Sequence, residues 1–253
     1  MFKRWFIVAM SMLATTPALA EETWTDLGIY LFAAELDGTS RIDNVTSDVD
    51  VPFDDILEHL DVGYMGYIEH RRNRWSFFGD INYLKLTVDD SSSTNGLVEI
   101  EVDTELEQTV LEGFVGYRVL ERQYDSNDLG LDIYAGARHT MLETKLGSEA
   151  SLLGLTNPRS RDDDEDWTDA VVGLRLQYGG RQGWISSFRL DVGDGSDSSS
   201  EQFMALVGYQ GDSDWLFFGG YRFLNLEYDK NGDSGLGIDI DYKGPLFGAS
   251  LRL

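Results

Sequence analysis

The feature that most restricts how this chain can fold is an alternation of apolar and polar side chains with a period of two, repeated along much of its length. From Arg74 to Tyr83, one parity reads Trp75, Phe77, Gly79, Ile81, Tyr83 and the other Arg74, Ser76, Phe78, Asp80, Asn82. Successive side chains of a strand point to opposite faces, so this segment is a strand with one apolar side. The pattern recurs where Ala170, Val172, Leu174, Leu176 and Tyr178 oppose Asp169, Gly173, Arg175 and Gln177. It recurs again where Phe203, Ala205, Val207 and Tyr209 oppose Gln202, Gly208 and Gln210. Strands are predicted at 24–36, 60–70, 74–88, 98–119, 129–145, 167–178, 183–193, 201–210, 214–228 and 238–253. The connections alternate in length: long at 37–59, 89–97, 146–166, 194–200 and 229–237, tight at 71–73, 179–182 and 211–213, and medium at 120–128.

The start of the chain bears on where such a sheet would sit. Lys3 and Arg4 precede an apolar run from Trp5 to Leu13, and Pro17-Ala18-Leu19-Ala20 ends in an A-x-A pattern. Residues 1–20 therefore read as a cleaved secretory signal peptide and 21–253 as the mature barrel. The run is too short to span a bilayer as a helix, and no later stretch reaches the 18 or so apolar residues a helical span requires. With 20 Lys and Arg against 45 Asp and Glu, the net charge is −25, which excludes nucleic acid as a partner because phosphates need a basic face. The chain has no cysteine, so neither disulfides nor thiolate metal sites hold it together.

One-sided apolar strands, export and length-sorted connections together predict an all-β fold. It is a closed antiparallel up-and-down transmembrane barrel of about ten strands, eight to twelve, in the outer membrane. Hydrocarbon offers no hydrogen-bond partner, so strands within it must pair all round a circle. Trp75, Tyr83, Trp184, Tyr209, Trp215 and Tyr221 stand near strand ends, where interfacial girdles form. In the final strand Phe247, Ala249, Leu251 and Leu253 stay apolar on one parity, a signal suited to outer-membrane assembly machinery. Between the first two strands, Phe53, Ile56, Leu57 and Leu60 fall at helical spacing behind Pro52, with Asp54 and Asp55 near the start. This segment is a candidate plug helix, expected to pack in the barrel mouth or against its rim.

Several motifs also carry a resemblance. Val49-Asp50-Val51-Pro52-Phe53-Asp54-Asp55-Ile56-Leu57-Glu58-His59-Leu60 is followed by Gly63-Tyr64-Met65-Gly66 and by Trp75-Ser76-Phe77-Phe78-Gly79-Asp80. Further on stand Gly116-Tyr117-Arg118, Ala135-Gly136-Ala137-Arg138, Val172-Gly173-Leu174-Arg175, Gly220-Tyr221-Arg222-Phe223-Leu224 and Gly244-Pro245-Leu246-Phe247-Gly248. In this order they resemble a family of uncharacterised proteobacterial outer-membrane β-barrel proteins. The resemblance implies the barrel fold and implies no activity. Asp191-Val192-Gly193-Asp194-Gly195 departs from it, since a more glycine-rich stretch is expected there.

The polar parity supplies the candidate site. Glu69, Asp80, Glu112, Asp132 and Asp191 share the inward side with Arg74, Arg118, Arg138, Arg175, Arg189, Arg222 and Arg252. Buried charge must be paired to offset its desolvation, so these residues are expected to form an ion-paired lumen, with a narrow selective pore as the other reading. Catalysis has no convincing constellation: Met141 follows Arg138-His139-Thr140 where a nucleophile would be required, and His59, His70 and His139 have no adjacent Asp. No cofactor and no metal site are expected. Asp162 to Asp166 and Asp194 to Glu201 read as acidic outer loops, open at most to weak divalent cations. Asp229-Lys230-Asn231-Gly232-Asp233-Ser234 has the oxygen spacing of a calcium loop, but lacks the turn glycine at Ser234 and the closing glutamate at Ile240. The expected function is that of a non-enzymatic structural envelope protein or narrow small-solute channel, among outer-membrane lipids. A hydrolase acting on lipid or peptide at the outer rim is the alternative.

Overall fold

The computed structural model describes residues 23–253 apart from 43–44, 95–97, 153–154, 181 and 231–235. The segment read as a signal peptide and the centre of the calcium-like motif lie outside the described residues. The strands are β1 (Thr23–Phe32), β2 (Glu35–Ile42), β3 (Val45–Val51), β4 (Leu60–Arg72), β5 (Trp75–Thr94), β6 (Val98–Tyr124), β7 (Asn127–Leu152), β8 (Leu155–Gly179), β9 (Gly183–Asp194), β10 (Ser198–Gln210), β11 (Trp215–Asp229) and β12 (Leu236–Arg252). A six-residue helix, α1 (Phe53–Glu58), lies between β3 and β4. All pairings are antiparallel, from β1 through β4 to β12, and β12 pairs back to β1. The result is a closed antiparallel barrel of ten staves.

The first stave is broken. β12 pairs with β1 through Leu246–Arg252 and with β2 through Leu236–Lys243, so β1 and β2 run along one neighbour on either side of Ala33 and Ala34. Pro245 stands at the break, where a proline can enter a ladder because it need not donate. Its carbonyl still accepts from the Ala33 N–H at 2.9 Å. Gly244 is required there, since a Cβ would come within 2.1 Å of the Ala33 carbonyl oxygen.

Strand positions agree with the alternation, while several connections are shorter than the sequence suggests. The expected long loop at 37–59 contains the β2–β3 hairpin, so α1 follows an extra hairpin between the first two staves. The expected loop at 146–166 is mostly strand, with β7 and β8 paired out to Leu152 and Leu155, and Asp162 to Asp166 stand on β8. The connection at 120–128 is a turn at Asp125 and Ser126. Asn73 and Asp125 sit at φ 56° and 51°, in the left-handed region that two-residue hairpins use and that Asn and Asp tolerate. Arg74 lies in the first of these turns rather than on a stave. Asp89–Thr94 and Asp162–Asp166 are polar on both parities, so periodicity could not mark them, while β2 and β3 carry a short apolar parity in Leu36 and in Val45, Val49 and Val51 that the sequence reading did not use.

The tight turns lie at the same end of the barrel as Thr23 and Leu253, the turn end; the opposite end is the far end. Near the turn end the outward face is apolar, with Trp184 68% and Phe217 64% exposed. Trp75 packs edge-on against Tyr117 at 4.9 Å and Trp184 against Tyr209 at 5.4 Å, forming an outer aromatic girdle. On β11 this face runs from Trp215 to Phe223 before changing to Asn225, Glu227 and Asp229. Nine residues tilted by about 40° rise about 20 Å, close to the height of a membrane barrel's apolar band. Every stave with described side chains beyond that level turns polar outside, as at Glu107, Glu143, Asp164, Asp166, Glu201 and Asp239.

Leu174→Arg should weaken the barrel by about 2–4 kcal/mol, because Leu174 is 49% exposed in the middle of the apolar band. Glu201→Arg, on the outward face beyond the band, should cost far less. Urea unfolding in lipid vesicles measures the contrast, and equal losses would place the apolar band away from lipid.

Candidate functional site

The lumen is filled in layers. In the middle, Arg138 of β7 is 0% exposed and joins three staves: its Nε donates to Glu112 at 2.8 Å, Nη2 to Asp191 at 2.7 Å and Nη1 to the Ser200 hydroxyl at 2.8 Å. Arg189 donates to the other oxygen of each acid, to Glu112 and to Asp191 at 3.1 Å. Its guanidinium lies over the rings of Phe78, Phe114 and Tyr134 at 5.2, 4.7 and 5.2 Å. Tyr134 accepts from Arg189 Nε at 2.8 Å and donates to Asp191 at 2.6 Å. Gln202 donates to Asp191 at 2.8 Å and accepts from Arg222 Nε at 2.6 Å.

A second cluster lies nearer the turn end. Asp132, 1% exposed, receives Arg71 at 2.6 Å, Arg118 at 2.7 Å and Arg175 at 3.0 Å. Arg175 also grips Glu69 with both terminal nitrogens, at 2.9 and 2.7 Å. At the mouth itself, Arg252 forms a two-point pair with Asp26, each bond 2.8 Å, and lies over the Trp24 ring at 4.4 Å. The guanidinium fork suits such shared carboxylates, since one arginine can serve two acids without losing planarity.

The structure thus brings Glu112, Arg138, Arg189, Asp191 and Arg222 into one group and Glu69, Asp132, Arg118 and Arg175 into another, with Arg252 apart at the mouth. Asp80 differs from the rest. Neutral donors hold it: the Tyr30 hydroxyl at 2.9 Å and the Asn82 amide at 2.6 Å. Sequence reasoning missed Arg71, Asp26, Tyr30 and Tyr134. Arg71 and Asp26 share the inward parity and could have been found by extending the count, whereas Tyr30 and Tyr134 are apolar by type and reveal their role only through their hydroxyls.

Beyond the charge layers the inward face becomes apolar. Val110, Leu224 and Leu226 form one buried cluster, Leu36, Ile56 and Leu86 another, and Trp167, Tyr228 and Ile238 a third. Of the candidate plug residues, Ile56 is buried between Leu36 and Leu86, while Phe53 and Leu60 are half-buried and Leu57 is exposed. The helix has no side-chain N-cap, and its carboxy end is tied where the His59 carbonyl accepts from the Thr87 N–H at 3.0 Å. At the far end Tyr228 stacks on Trp167 and donates to Glu165, which also takes Lys230 at 2.9 Å. Burial pushes the Glu165 carboxyl up, but the bonds from Lys230 and Tyr228 outweigh it and hold it below its ordinary range. Burial first, and Glu165 second, push the Tyr228 hydroxyl up to about 12.

The histidine rings meet neutral oxygens: His59 its own helix's Asp55 carbonyl at 2.8 Å, His70 the Thr25 hydroxyl and His139 the Thr168 hydroxyl, both at 2.9 Å. Among the described residues, no group of three or more His, Asp or Glu side chains is disposed to hold a metal ion.

A closed ten-stave barrel with a charge-filled lumen defines the class to which the fold belongs. Among solved structures, the outer membrane protease OmpT of Escherichia coli is similar at TM-score 0.57 and 12% identity, over 93% of this chain and 99% of that one. The translocator domain of the autotransporter NalP of Neisseria meningitidis aligns over 90% and 88% at TM-score 0.40 and 11% identity. Ail, the attachment invasion locus protein of Yersinia pestis, aligns over 92% and 99% at TM-score 0.32 and 11% identity. No family model and no curated protein matches the chain. At such identities the likeness to OmpT is one of fold, and the other two carry no argument.

Truncating one member of the central group should be costly and coupled. Arg138→Met alone and Glu112→Leu alone should each lose about 3–5 kcal/mol, because a lone buried charge remains. The double variant should fall short of the sum by about 1–3 kcal/mol in equilibrium unfolding. Strict additivity would mean that the groups are hydrated independently.

Proposed function

We propose that this chain is a non-enzymatic β-barrel protein of the bacterial outer membrane, a structural envelope component whose lumen is closed to solutes. The single observation that carries this reading is the fully buried Arg138, tied to β6, β9 and β10 through Glu112, Asp191 and Ser200. Together with Arg189 and the rings of Phe78, Phe114 and Tyr134, it occupies the middle of the barrel. A barrel of this size has a lumen that side chains can fill. The apolar outer band supports lipid as its surroundings, and the apolar outward parity of Phe247, Ala249 and Leu251 on β12 suits recognition by outer-membrane assembly machinery.

The narrow-channel reading has one observation in its favour: a cavity of about 170 Å³ on the turn-end side, lined by Glu69, Asp80, Arg175 and Arg189. It reaches the central group and meets the guanidiniums there. The hydrolase reading rests on fold alone, through the protease OmpT, and the histidine contacts described above give it no support.

The test is conductance in planar bilayers. The native protein should show no unitary steps, and deletion of Asp50 to Glu58 should leave it non-conducting, since α1 lies beyond the charge layer. Replacing Glu112, Arg138 and Asp191 together by Ala should open steps. Unitary steps from the native protein would replace the structural reading with the channel; steps only on deleting Asp50 to Glu58 would make α1 the plug.

A further inference from the structure

The two halves of the lumen differ in chemistry, and the far half encloses space. A cavity of about 100 Å³ lies between the central charge layer and α1. Its walls include Phe32, Leu36, Ile56, Val110, Leu224 and Leu226. Cavities of this kind lined by Leu, Ile and Phe stay dry, and one of about 150 Å³ takes up benzene or xenon. The walls of this chamber are mostly apolar, with Tyr30, Asn82, Gln108, Arg222 and Tyr242 at its edges, so it suits an apolar molecule better than water.

Its polar edges are already engaged. Gln108 donates to the Tyr242 hydroxyl at 2.7 Å, on the wall. At the floor Arg222 spends its Nε on Gln202 at 2.6 Å, with Glu112 at 3.5 Å, and Asn82 spends its amide on Asp80. An anionic ligand would stand close to Asp80 and Glu112, and a cationic one would meet Arg222, with no unpaired opposite charge for either. The chemistry selects an uncharged ligand.

Access is built into the lid. α1 is six residues long, lacks a side-chain N-cap and buries only Ile56. A helix this short is not stable alone, so the Ile56 contact and the bond from the Thr87 N–H to the His59 carbonyl are what hold the lid down. Leu57 lines the chamber and is yet 55% exposed, so the wall there is one side chain thick. Its displacement into solvent supplies both an entrance and the extra volume a ring requires.

We propose that the chamber beneath α1 is a binding site for one small, uncharged, apolar molecule up to the size of a monocyclic arene. The site is independent of whether the barrel conducts. It can be tested with benzene as probe, on the full-length mature protein in lipid nanodiscs carrying ¹³C-methyl Ile, Leu and Val. Benzene also dissolves in lipid, so the lipid-facing methyls of Leu174 and Leu190 should shift linearly with its concentration. The methyls of Ile56, Val110, Leu224 and Leu226 should instead shift to saturation. Val110→Phe and Leu226→Trp, which fill the chamber, should weaken the saturable phase at least about tenfold, and Leu57→Ala should retain it. Chamber methyls that stay still, or that move only linearly like the lipid face, would overturn the proposal. So would saturation that persists unchanged in either filled variant that keeps the native spectrum.

Discussion

Backbone hydrogen bonding is the constraint on which everything else here depends. A strand with one apolar face, placed where no water reaches, must find partners along both edges, and the only arrangement that leaves no edge is a closed circle. β12 completes that circle by pairing with two successive segments, β1 and β2, across a break that Pro245 and Gly244 accommodate. Closure then fixes an inside, and the inside of so narrow a barrel is a place where every inward side chain meets others from across the lumen.

The content of that interior changes with height because the exterior does. Where the outside is apolar, the inside combines paired charges with apolar side chains such as Phe32, Phe78, Phe114 and Leu246; beyond that level the outside is acidic and the inside becomes a conventional apolar core. The far half therefore behaves like a small water-soluble barrel set on top of a membrane-type one. Hydrophobic burial stabilises that half through Leu226, Val110 and Ile56. The two cavities lie on either side of the central charge layer, and Arg222 and Tyr30 line both.

Paired charge in the lower lumen is better understood as a device for uniqueness and closure than for raw stability. Burying a guanidinium and a carboxylate costs desolvation that their attraction only partly returns. What the arrangement does secure is connection between distant staves: Arg71 meets Asp132 and Arg175 meets Glu69 across the lumen. Such contacts resist register slips that backbone pairing alone would permit.

The sequence by itself determined the staves and their facing. A period of two needs no tertiary information, so Trp75 to Tyr83, Ala170 to Tyr178 and Phe203 to Tyr209 show their apolar sides directly and group Glu112, Arg138 and Asp191 on the polar parity; that this parity is the inner one followed only once the chain was read as a membrane-type barrel. It also marked α1 through the spacing of Phe53, Ile56 and Leu57. Only the tertiary structure decided which arginine meets which acid, because partners such as Arg222 and Glu112 stand 110 residues apart and are joined by the stagger of the staves around the circle. It likewise decided that β2 and β3 and the far parts of β7 and β8 are strands. Their alternation is short, as in Val45, Val49 and Val51 of β3, or absent, as from Asp162 to Asp166 of β8, so they are held in extended form by the neighbours they pair with, and no residue pattern records a neighbour.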